Sequence, residues 1–65
     1  MEVVINGSTE AGDFSTVADL LKKQGLDPKL VVVELNGQIL PNSEWESKKL
    51  ADGDTVEVVQ FVAGG

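Results

Sequence analysis

Val31-Val32-Val33-Glu34-Leu35-Asn36-Gly37-Gln38-Ile39-Leu40 holds the densest run of β-branched residues in the chain, interrupted once by an Asn-Gly pair. β-Branched side chains are stiff at χ1 and pack well on a pleated surface, so Leu30 to Asn36 predicts a strand. Alternation puts Val31, Val33 and Leu35 on one face, and Val32 and Glu34 on the other. Asn-Gly between two such runs supplies the two left-handed residues that a two-residue hairpin turn requires. Gln38-Ile39-Leu40 is then the antiparallel return, and Pro41, which has no N–H to donate, ends it.

Toward the N-terminus the same grammar repeats. Glu2 to Asn6 alternates, with Met1, Val3 and Ile5 on one face and Glu2, Val4 and Asn6 on the other. Asn6-Gly7 predicts a second hairpin, whose return from Ser8 to Asp13 is polar and reads as a short edge strand. Phe14 to Asp19 then opens a helix, with Ser15 or Thr16 as N-cap and Asp19 near the positive end of the dipole. Val17, Leu20 and Leu21 form its apolar stripe, and Gly25 is its stop. At about 9 residues such a helix is too short to persist alone, so it must pack its stripe on the sheet, with Phe14 beside it.

The remaining segments read as connection and one more strand. Leu26 to Lys29 is a linker. Asn42 to Lys49 lacks alternation and reads as an irregular or single 3₁₀ turn, with the lone tryptophan, Trp45, over the edge of the core, its other reading being a docking anchor. Asp52-Gly53-Asp54 resembles calcium ligands, but the other ligands of a calcium loop are missing, which leaves turn chemistry. Thr55 to Phe61 is the last strand. Val56 and Val58 share one face; Val59 and Phe61 share the other. One helix covers one side of a sheet, so Val59 and Phe61, with Val62, are expected to form an exposed docking patch.

Composition narrows the function. Sixty-five residues are read as one domain, 1–65, in which folding buries only about 60% of the chain's surface and leaves little room for an internal active site. The sequence has no cysteine and no histidine, which removes thiolate chemistry, the usual general base and the commonest neutral metal ligand. Eleven acidic residues against five lysines, with no arginine, give a net charge of −6. That balance argues against nucleic acid or an anionic membrane as partner and for a protein. No apolar run approaches the roughly 20 residues of a membrane span and the N-terminal stretch is acidic, so a cytoplasmic protein, monomeric when free, is expected. There is no glycine-rich phosphate loop, so this chain is expected to bind no cofactor or metal of its own.

The chain closes on Gln60-Phe61-Val62-Ala63-Gly64-Gly65. Two glycines in succession make a strip of backbone thin enough for a channel that excludes side chains, and Gly65 ends it with a carboxylate. A flexible tail is expected over about residues 62–65. Strand, strand, helix, strand, strand, irregular segment, strand describes an α+β fold, a mixed sheet of four to five strands with one helix across one face.

This order resembles the β-grasp (ubiquitin-like) fold. Asp52-Gly53-Asp54-Thr55-Val56, the closing Gln60-Phe61-Val62-Ala63-Gly64-Gly65, the first strand ending in Asn6, the Asn36-Gly37 hairpin, Pro41 and Trp45 together resemble the ThiS-type sulfur carriers of thiamine biosynthesis. The resemblance implies a protein co-substrate and not an enzyme. Gly65 would be adenylated by an E1-like enzyme that supplies ATP and Mg²⁺. A sulfur donor system would convert it to a thiocarboxylate, which a thiazole synthase consumes. Val62, Ala63 and Gly64 would be needed to enter the enzyme's channel, and Val59 and Phe61 to dock. A molybdopterin-type carrier shares the fold and the diglycine, but is usually longer, and Val-Ala before the diglycine is more similar to the thiamine branch. A ubiquitin-like modifier and a plain β-grasp interaction module are the other readings.

Overall fold

The computed structural model describes residues 1–61; the expected tail, Val62 to Gly65, lies outside them. Each Asn-Gly pair makes a hairpin, as its turn chemistry dictates. Asn6 and Asn36 sit at φ 49° and 51°, in the left-handed region that asparagine tolerates better than most residues. The first hairpin joins β1 (Glu2–Ile5) to β2 (Ser8–Ala11), and the second joins β3 (Val31–Leu35) to β4 (Gln38–Leu40). Helix α1 (Val17–Lys23) lies between them in sequence, and β5 (Thr55–Gln60) comes last.

The strands form one five-stranded sheet in the order β2-β1-β5-β3-β4. The final strand is therefore its centre. It runs parallel to β1, with Val4 opposite Thr55, and antiparallel to β3, with Val33 opposite Val58. Val3, Ile5, Val31, Val33, Leu35 and Val56 from the strands are buried against Val17, Leu20 and Leu21 of α1, and Phe14, Trp45 and Leu50 close the margins. Among the described residues no helix is long and apolar enough to cross a membrane.

The helix is seven residues long, shorter than its sequence pattern suggested, because both ends are capped by side chains and backbone already committed elsewhere. Thr16 is extended (φ −132°) and its hydroxyl accepts from the Asp19 N–H at 3.1 Å. The Asp19 carboxylate in turn accepts from the Ser15 N–H at 3.0 Å, so one free donor of the first turn and the N–H just before the cap are satisfied. At the other end the Gly25 N–H donates to Lys22 O and the Leu26 N–H to Leu21 O, a Schellman closure that needs Gly25 at φ 71°. The linker after it contains a 3₁₀ turn (Pro28–Leu30) in which the Asp27 carboxylate accepts from the Lys29 N–H at 2.9 Å.

Several boundaries differ from the sequence reading, including β3, which spans Val31–Leu35 and leaves Leu30 in the 3₁₀ turn and Asn36 in the hairpin turn. The edge strand stops at Ala11, not Asp13, because the Phe14 ring folds under Gly12, where a Cβ would stand 2.6 Å from ring carbons. Met1 is not on the buried face. It precedes β1, its ammonium donates to Gly12 O at 3.2 Å, and it is 46% exposed. Asn6 and Phe61 each fall just outside their strands, although the Phe61 N–H still donates to Leu30 O at 2.7 Å.

Candidate functional site

α1 covers one face of the sheet, so alternate residues of the same strands are left on the other. On β5 these are Thr55, Glu57 and Val59, with Phe61 following in the same alternation; Val59 is 54% exposed and Phe61 55%. The register places Val32 opposite Val59 and Glu34 opposite Glu57. On the far side of Glu34 stands Ile39 of β4, the most exposed large apolar side chain among the described residues at 70%. Val32, Ile39, Val59 and Phe61 therefore share an open face with a pair of carboxylates, and Val4 of β1 lies on the same face beside Thr55.

Side chains from both hairpin turns hold β5 in this position. The Asn6 amide accepts from the Val58 N–H at 2.7 Å and donates to Val58 O at 3.3 Å, continuing the ladder where β1 ends. The Asn36 amide accepts from the Thr55 N–H at 2.9 Å and donates to Asp54 at 3.1 Å. The Asp52-Gly53-Asp54 turn serves the same end. Asp52 accepts from the Glu2 N–H at 2.6 Å, Asp54 from the Ala51 N–H at 2.8 Å, and the Gly53 N–H donates to Glu2 O at 2.7 Å. Both aspartates are thus engaged by backbone donors, which is turn chemistry.

Trp45 belongs to the scaffold. It is buried, and its indole N–H donates to Leu40 O at 2.9 Å. It also floors a shallow groove of about 630 Å³ on the helix side, beside Leu21, Leu26 and Pro28. Val59 and Phe61, the expected docking residues, are together on the open face. Gly65, Gly64, Ala63 and Val62 lie outside the described residues. Sequence reading singled out neither Ile39 nor the opposition of Glu34 to Glu57. Counting back across the Asn36-Gly37 turn puts Ile39 opposite Glu34, but the Glu34–Glu57 pairing needs the β3–β5 register.

One helix on a five-stranded mixed sheet whose last strand is central defines the β-grasp, ubiquitin-like class. The ThiS family model matches residues 3–65. The sulfur carrier protein ThiS of Bacillus subtilis (strain 168) is 40% identical over 53 residues, covering 82% of this chain and 80% of that protein. The crystal structure of a thiamine biosynthesis protein (ThiS) from Geobacter metallireducens superposes with a TM-score of 0.85 at 32% identity, over 100% of both chains. The thiazole synthase of Paramagnetospirillum magneticum is 43% identical over 68 aligned positions, which take in 100% of this chain but 20% of that protein. This chain therefore spans about a fifth of the length of that relative. The chain belongs to the ThiS family of sulfur carriers.

Proposed function

We propose that this chain is a co-substrate in thiamine biosynthesis whose Gly65 carboxylate carries the sulfur. The carboxylate oxygen attacks the α-phosphorus of ATP on an E1-like adenylating enzyme, and pyrophosphate leaves. The resulting acyl adenylate is an electrophile, and hydrosulfide released by the donor system adds at its carbonyl carbon and expels AMP, leaving a thiocarboxylate. ATP and Mg²⁺ belong to that enzyme, and the thiocarboxylate is the sulfur source for a thiazole synthase. The proposal asks of this chain only a diglycine end and a surface by which to be held.

The observation that carries this reading is that Val59 of β5 and Phe61 just after it are open to solvent shortly before the diglycine, while Val56 on the other face of β5 is buried in the core and Val58 half-buried. Exposed apolar side chains beside the reacting end suit a protein that docks on an enzyme and delivers its terminus. The similarity of the whole chain to a stretch of a thiazole synthase supports association with that activity.

Incubation of the chain with its activating enzyme, ATP and a sulfur source should add a mass equal to replacing one carboxylate oxygen by sulfur. Gly64→Ala should abolish that gain while leaving the circular dichroism spectrum unchanged, because the added methyl meets the channel and not the core. Normal adenylation of Gly64→Ala would remove the steric argument, and covalent conjugates to lysine in cell extract would instead indicate a modifier.

A further inference from the structure

The open face carries a charge arrangement that folding does not account for. Glu34 and Glu57 stand directly opposite each other across β3 and β5, and both side chains are on the uncovered side, since Val33, Leu35, Val56 and Val58 take the other. Opposed residues in an antiparallel pair have Cβ atoms about 4.5–5.5 Å apart, and like charges so placed destabilise the sheet. No strand contains a lysine to offset them. The five lysines lie in α1, in the 3₁₀ turn after it, and after the second 3₁₀ turn (Asn42–Glu44). The one ion pair among the described residues, Lys23 with Asp19 at 3.8 Å, belongs to the helix.

On the side toward Val59 the surroundings of the pair are apolar, while Asn36 and Thr55 form the polar row on the other side. Ile39 flanks Glu34, Val32 and Val59 form the next row, and Phe61 lies beyond, on the way to Gly65. We propose that this face is completed by an arginine of the activating enzyme, received between the carboxylates of Glu34 and Glu57, with the enzyme's apolar side chains over Ile39, Val59 and Phe61. This rests on the reading of the chain as substrate of such an enzyme. Arginine fits better than lysine because its planar fork donates to two carboxylates at once and its weaker hydration suits an apolar frame. Gly65 is four residues past Phe61, so docking here holds the reacting carboxylate within at most about 14 Å of Phe61 by chain length alone. The repulsion borne by the free chain is relieved on binding.

Calorimetric binding of the full chain to the activating enzyme, together with ATP–pyrophosphate exchange and thermal melting of the free chain, tests this. Glu34→Gln and Glu57→Gln should each raise Kd about tenfold and raise Tm by about 2–4 °C. The double variant should melt no higher than the singles, since removing either charge already ends the repulsion. Glu46→Gln, which alters net charge equally on the helix side, should leave Kd unchanged. The proposal is overturned if both glutamine variants bind like the wild type, if Glu46→Gln weakens binding as much, or if neither glutamine variant melts higher. Exchange activity separates the two readings. Binding that depends on Glu34 and Glu57 without adenylation keeps the docking face and removes the proposed chemistry; adenylation with indifferent glutamates does the reverse.

Discussion

The two faces of the sheet are made from alternate residues of the same strands, yet they differ in almost every respect. On the helix side Val3, Val33 and Val56 are fully buried; on the open side Val59 is 54% exposed and Ile39 70%. Val56 and Val59 are the same residue three positions apart on one strand. Their difference teaches that residue type does not decide burial here. The pleat assigns them to opposite sides, and a single seven-residue helix covers only one of those sides.

The contrast can be tested from its strong end to its weak one. Val56→Asp should leave no cooperatively folded protein. It puts a carboxylate without a partner under α1, at more than about 3 kcal/mol, against the net stability of a few kcal/mol expected for a domain this small. A normal denaturant transition for this variant would show that the helix side is not sealed. Trp45→Phe keeps a six-membered aromatic ring but removes the indole donor to Leu40 O, and should lower stability by about 1–2 kcal/mol in the same measurement. Phe61→Asp should change stability by no more than about 0.5 kcal/mol, while weakening binding to the activating enzyme about tenfold. Unfolding by Phe61→Asp with tolerance of Val56→Asp would mean that β5 faces the other way.

Much of the architecture was legible before the fold was known, and the reasons are local. Both Asn-Gly hairpins, the buried triplet Val31, Val33 and Leu35, the Val17, Leu20 and Leu21 stripe, the Thr16 cap and the Gly25 stop depend on residues within a few positions of one another. The exposure of Val59 and Phe61 was also predictable, once one helix was counted against a sheet with apolar residues on both sides. The misplaced boundaries have the opposite character. Nothing near Gly12 in sequence signals that the Phe14 ring will occupy the space of its absent Cβ, and the solvated corner of the sheet that leaves Met1 exposed exists only once β2 is paired.

Asn6 shows how far the two kinds of information separate. Its sequence context predicts a left-handed turn residue, which it is. Its second role, holding Val58 through its amide, joins groups 52 residues apart. The position of β5 between β1 and β3, the anchoring of Glu2 by Asp52 and the opposition of Glu34 to Glu57 are of the same kind. Turn type, strand period, helix caps and a terminal diglycine follow from the backbone preferences and spacing of neighbours, and are written in the order of the residues. Strand order and register are settled by which distant strands bury the most apolar surface together, so the carboxylate pair on the open face arises only when β3 and β5 meet.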